Sequence, residues 1–400
     1  MKKKVFIMMI CLAVSAFLIT ACSKDTSSPA GHGVKKITIS AKASYFTGEE
    51  IKIASNMASG YTAEWSFLHN DCGARIISSG TDSAVVMTDR EGCFSIVQIG
   101  TNQEIVVASD VLKITVFYNI VNVYGTADFL SKAQFAKYVL QNDIDFGGAR
   151  FEPVAAFSGV LDGQGFAVKN LTVENHRFAN SGVIGVNGGT VKNISFKNIN
   201  IESMGDAQNV GIVGINEGRI ENVKADGSVF ADLYTNAGGI CGLNKGVITD
   251  CENNAAVTGG INTGGIAGRN EGTVFGNLNA GAVTGKKVAG GITGLNFSAD
   301  SLRDNVNKGR VKALGDGASY AGDWAGGIAG MSVNADLTRI SNSLNYGEIS
   351  GVNYIGGICG QAETLAYCIN YGKVTGAGAN TGGIAGQVKT PANCEDRYGG

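Results

Sequence analysis

The sequence is short of the residues that most often break a chain or carry its chemistry. Among 400 residues there are 3 prolines, 3 histidines and 2 tryptophans, and charged residues make up only 16%. So little proline excludes a proline-rich linker and a collagen-like chain, although glycine reaches 59. Net charge is lacking as well. With 32 basic and 34 acidic residues the chain carries no footprint for nucleic acid. His32, His69 and His176 lie far apart, and none recurs beside a serine or cysteine nucleophile. The apolar run from Val5 to Ile19 is too short to cross a bilayer, which takes about 20 residues.

What is present begins with that run. Lys2, Lys3 and Lys4 precede it, the charged-then-apolar order of a secretory signal over residues 1–21. It closes on Ile19-Thr20-Ala21-Cys22, which resembles the bacterial lipobox at all four positions. The resemblance implies lipidation of Cys22 and a membrane partner reached through the acyl chains. Ser23 after the cysteine, by the same resemblance, points to the outer membrane, and Ser23-Lys24-Asp25 is similar to short surface-export signals. Residues 22–33 read as a flexible tether.

Residues 34–118 alternate apolar and polar in short runs, as in Lys36-Ile37-Thr38-Ile39-Ser40 and Leu112-Lys113-Ile114-Thr115-Val116. This is the signature of an antiparallel sandwich. With Trp65 in an early strand it resembles bacterial immunoglobulin-like modules, although Trp65 precedes Cys72 and Cys93 rather than lying between them. Those two cysteines stand either as a disulfide or as two small buried side chains.

The remainder is repetitive. Gly-Gly-Ile-x-Gly occurs at 238–242, 264–268, 290–294, 326–330, 356–360 and 382–386, with looser copies at 181–185 and 210–214. A second element follows each copy, as in Asn244-Lys245-Gly246-Val247-Ile248. A third follows that, as in Asn345-Tyr346-Gly347-Glu348-Ile349. One such unit cannot bury its aliphatic side chains, whereas a stack of them can. The expected fold is therefore all-β: the sandwich, then a right-handed parallel β-helix with three short strands per coil and about eight coils. Residues 119–180 supply a cap and the lead-in coils, with Ala127 to Tyr138 expected as a helical cap, and residues 181–400 the repeats. Glycine and asparagine are expected at the corners, since both tolerate positive φ.

On Gly239-Ile240-Cys241-Gly242 and Gly265-Ile266-Ala267-Gly268 the repeat resembles the GLUG-motif family of bacterial surface proteins. That resemblance implies adhesins, glycan-associated proteins and stalks, with no single activity.

Aligning the coils stacks no carboxylates or bases, so no catalytic residues and no cofactor are expected. Asp143, Asp145 and Asp162 read as turn carboxylates rather than a calcium site, so no metal site is assigned. Cys241 and Cys251 occupy the same coil positions as Cys359 and Cys368, which leaves two readings: disulfides within the solenoid, or buried thiols. Cys394 falls one coil after Cys368. Aromatic residues give the candidate binding positions. Tyr346 and Tyr371 share a coil position, and an insertion carries Tyr320 and Trp324. The function expected is a non-enzymatic, adhesin-like surface lipoprotein that binds glycans or proteins of host or neighbouring cells. The alternatives are a β-helix polysaccharide lyase or hydrolase, and a passive stalk. The last coil lacks its third strand, which leaves end-to-end self-association as a further expectation.

Overall fold

The computed structural model describes residues 37–398, apart from 43, 103–104, 110, 131–134, 176–178, 206, 233–234, 299–301, 316–322, 334–338 and 379. Cys22 and Tyr320 lie outside the described residues. Among the described residues every regular element is a β-strand.

The first two sheets form a small module. One has the order Ile39–Ser40, Ile51–Ser55, Ser83–Met87, Arg75–Ser79. The other has Ser44–Phe46, Leu112–Phe117, Gly92–Asn102, Thr62–Asn70, with Ile105–Ala108 paired to Gly92–Asn102. Alternation decides which side chains face inward. Ile51 and Ile53 from the first sheet meet Trp65, Phe94, Ile96 and Ile114 from the second. The buried Trp65 ring satisfies its one donor by giving Nε1–H to the Gly80 carbonyl at 2.9 Å. Buried Gln98 donates to Thr81 O at 2.8 Å and accepts from the Ser55 hydroxyl, tying the two sheets together.

The stack of coils starts at Ile120–Val123, which pairs in parallel with Lys137–Leu140, which in turn pairs with Val160–Asp162. Of the helical cap expected over Ala127 to Tyr138, residues 131–134 lie outside the described residues; 127–130 form a turn and the strand Lys137–Leu140 begins within its last two positions. The first coils are filled by rings: Phe129, Phe146 and Phe151 meet edge to face at 5.7–5.9 Å. Among the described residues, three bulky side chains fill this end of the core.

From there the coils repeat as a solenoid of about eight turns, an eight-stranded sheet running beside a long continuous one. Each sequence element supplies one buried aliphatic column. The first is Ile212, Ile240, Ile266, Ile292, Ile328 and Ile358. The second is Ile220, Ile248, Val274, Leu302, Ile340 and Leu365, in unbroken parallel register. The third is Val229, Val257, Val283, Val311 and Ile349. Fully burying such a side chain is worth about 1.5–3 kcal/mol, and in this fold only the neighbouring coils supply the burial. In several coils the strand comes as five short segments, as in Asn236–Gly238, Cys241–Asn244, Val247–Thr249, Glu252–Asn253 and Ala256–Gly259, whereas Thr190–Ser203 and Arg219–Ala231 run without a break. Tight bends between columns account for the breaks.

The asparagines that recur in the repeat elements are buried inside the coils rather than at the corners. Asn187, Asn216, Asn244, Asn270 and Asn296 are fully buried, and each Nδ2 donates to the next Oδ1 at 2.8 Å. A second column runs through Asn253, Asn279, Asn307, Asn345 and Asn370 to Asp396, again at 2.8–2.9 Å. Most of these amides also donate to a backbone carbonyl two residues on, so polar groups in the core are satisfied coil by coil. The corners with positive φ hold a different set: Asn193, Asn222, Asp250, Gly276, Asp304, Asn342, Tyr367 and Asn393.

Candidate ligand-binding face

The residue after each rung of the second asparagine column points outward. In successive coils it is Lys308, Tyr346, Tyr371 and Arg397. Parallel register places Asn345 opposite Asn370, so the two following tyrosines are brought together. Their rings stack at 4.8 Å between centroids and 3° between planes. Tyr346 is 48% exposed. Arg397 lies 5.9 Å from the Tyr371 centroid and gives Nη1–H to its hydroxyl at 3.2 Å. Glu395, and then Tyr371, favour the charged guanidinium of Arg397. With one ring face against the other, the pair shows solvent its edges and two hydroxyls, a rigid set of hydrogen-bonding groups.

A second aromatic column interrupts a third run of asparagines. Asn180, Asn209, Asn236 and Asn262 are linked amide to amide at 2.8 Å, and the same register continues as Val288, Trp324 and Tyr354. Trp324 is half-buried, stacks on Tyr354 at 5.7 Å and 15°, and donates Nε1–H to Gln361 Oε1 at 2.9 Å.

Tyr367 was not singled out from the sequence. It is 54% exposed and adopts φ of 56°, in a corner row otherwise made of asparagine, aspartate and glycine. Those residues tolerate the left-handed region, and tyrosine does so at a cost of about 1–2 kcal/mol. The exception in an otherwise regular corner row is the signal that would have found it.

The other candidates fall elsewhere. All seven described cysteines are free thiols, so none of the disulfides considered for Cys72, Cys93, Cys241, Cys251, Cys359 and Cys368 is formed. Cys241 and Cys251 bind their own coil instead, through Leu243 O at 3.2 Å and Thr249 O at 3.2 Å. Cys359 does the same through Gln361 O at 3.0 Å. Burial pushes the Cys251 and Cys359 thiols up to about 12 and Cys72 up to about 11, which leaves them inert as nucleophiles. Asp143 and Asp145 hold turns. Asp143 pairs with Lys169 at 2.5 Å and accepts from Ala167 N at 2.8 Å; Asp145 accepts from Asn170 and Gly147 N, each at 2.8 Å. Lys169 and Asn170 respectively are the main causes of their lowered carboxyl pKa values. Asp162 accepts from Gln164 N at 3.1 Å and faces Lys192 at 3.4 Å.

No family model matches the chain, and no curated protein matches it. Among solved structures it is similar to a "putative immunoglobulin A1 protease" from Bacteroides ovatus, at 20% identity and a TM-score of 0.46, over 58% of this chain and 77% of that one.

Proposed function

We propose that the protein is a lipid-anchored surface protein of the bacterial outer membrane, held through Cys22, whose solenoid binds a glycan or a protein of a host or neighbouring cell. It carries out no catalysis on that ligand. The reading rests on one observation above all. Tyr346, Tyr367 and Tyr371 lie within two adjacent coils, and one of them occupies a strained corner where asparagine would serve folding better. Aromatic side chains give contact area at low entropic cost and hydrogen-bonding groups at their tips. The lipobox-like Ile19-Thr20-Ala21-Cys22 and the GLUG-like repeats support the anchored, surface-facing part of the reading. The sandwich between tether and solenoid serves as a spacer.

The test uses the full chain carrying Cys22→Ser, which should be released in soluble form. Applied to a glycan array and to host-cell surfaces, it should bind, and Tyr346→Ala with Tyr371→Ala should reduce that binding while leaving the unfolding temperature close to wild type. Membrane recovery of the Cys22→Ser chain would overturn the anchor, and binding indifferent to both tyrosines would overturn the face.

A further inference from the structure

The sandwich module holds a cluster unrelated to the aromatic face. His69 Nε2 lies 3.1 Å from Asp71 Oδ2, Cys93 Sγ lies 3.7 Å from the same oxygen, and the three donor atoms are all within 4.8 Å of one another. Two features of the backbone assemble it. A bulge between Phe67 and His69 interrupts the pairing of Thr62–Asn70 with Gly92–Asn102 and re-aims the end of the strand. Beyond it, Asp71 N donates to Cys93 O at 3.1 Å, and the Asp71 carboxylate accepts the Cys93 amide. The carboxylate is thereby fixed on one oxygen and leaves the other facing the imidazole and the thiol. Gly92 makes this approach possible, since a Cβ there would overlap Asp71 Oδ1. The turn is held from behind by Asn70, which accepts from Ala74 N at 2.8 Å and donates to Ala74 O at 2.7 Å.

An exposed His–Asp pair alone contributes little and gives no reason for a thiol beside it. One nitrogen, one oxygen and one sulfur are the donor set of a borderline cation. In a tetrahedral zinc site, bond lengths of about 2.0–2.3 Å put neighbouring donor atoms roughly 3.3–3.6 Å apart, close to the two spacings from Asp71 Oδ2, with the imidazole and thiol within 4.8 Å of each other. The cluster opens on a shallow cleft of about 400 Å³ lined by Asp71, Glu91, Cys93, Lys113 and Phe117, which leaves a fourth position accessible.

We infer that His69, Asp71 and Cys93 form a binding site for a zinc-class divalent cation, with three protein ligands and an open fourth position facing the cleft. Ligation replaces the Cys93 S–H bond by an S–metal bond, and the proton leaves to solvent. His69 coordinates through Nε2 and Asp71 through Oδ2.

The test is titration of the full, reduced chain with Co²⁺, followed by Zn²⁺ competition. One equivalent should bind and give a near-ultraviolet thiolate-to-cobalt charge-transfer band that Zn²⁺ abolishes. Cys93→Ser should remove the band, and His69→Ala should weaken binding by more than about tenfold. Both changes are at surface positions, and circular dichroism checks that the fold persists. Cys394→Ser controls for the other partly exposed thiol and should leave the band unchanged. Absence of stoichiometric binding, a band that survives Cys93→Ser, or a band that disappears in Cys394→Ser would each overturn the assignment.

Discussion

Gly239 faces Asn253 across the inside of one coil, and the amide of Asn253 stands where a side chain on Gly239 would begin. The relationship recurs at Gly265 with Asn279, Gly291 with Asn307, Gly327 with Asn345 and Gly357 with Asn370. The second glycine of the repeat is therefore required by an asparagine in the third element, and neither residue is there for a turn. Gly239→Ala should cost about 3 kcal/mol, the upper part of the usual overpacking range, because the obstructing atoms belong to a hydrogen-bonded ladder. Gly125→Ala, with open space around it, should stay within about 0.5 kcal/mol of wild type. Denaturant midpoints of the two variants check this, and equal midpoints would remove the ladder from the explanation of the repeat.

Breaking a rung should cost a comparable amount by another route. Asn279 accepts from Asn253 and donates both to Asn307 Oδ1 at 2.8 Å and to Gly281 O at 2.9 Å. Asn279→Ala strands buried partners on either side, a loss of about 2–3 kcal/mol. Asn254→Ala, one residue from a rung but exposed, should change little. Thermal unfolding of both variants measures the difference.

Tyr367→Asn should stabilise the solenoid by about 1 kcal/mol, because it restores at that corner the residue type found at Asn342 and Asn393. The same change should weaken ligand binding if the tyrosine is kept for recognition. A variant neither more stable nor weaker in binding would leave Tyr367 without a role in the face.

The thiols should separate sharply by reactivity. Cys251 and Cys359, pushed up to about 12 by burial, form thiolate in the folded chain only far above neutral pH. They should resist iodoacetamide from pH 6 to 9 until the chain unfolds. Cys394 is partly exposed, and its interaction with the neighbouring Cys368 thiol lowers the Cys394 pKa and raises that of Cys368. Its thiolate therefore appears at lower pH than that of an ordinary cysteine, and it should alkylate readily at pH 7. Mass mapping of adducts against pH decides the matter; early modification of Cys251 or Cys359 would contradict it.

Much of the solenoid was legible in the sequence because its columns are made of the same residue type at a fixed spacing. Aligning the Gly-Gly elements places Glu221, Thr249, Phe275, Arg303, Ser341 and Ala366 in one row, and that row is the register of the structure. The stacking of Tyr346 on Tyr371 follows from the same alignment. Asparagine at the corners holds for Asn193, Asn222, Asn342 and Asn393, but the asparagines of the repeat elements were misassigned, because a buried amide and a left-handed corner draw on the same residue. Only the hydrogen-bond partner, one coil away, tells them apart. Phe129, Phe146 and Phe151 are spread over a segment without a period, so their closure of the first coils left no pattern to read. The His69, Asp71 and Cys93 cluster was equally invisible, since a bulge and a strand pairing bring together positions 22 residues apart along the chain (71 to 93).

The amide columns also set how the molecule can change in length. Most rungs are completed by an asparagine rung above and below, so a coil can be gained or lost whole with the ladder kept, while a partial insertion must bulge out at a bend. Length along the solenoid axis is then adjustable in steps of about 4.8 Å. In that sense the solenoid is a ruler with asparagine graduations, whose span can drift during evolution while its cross-section stays fixed.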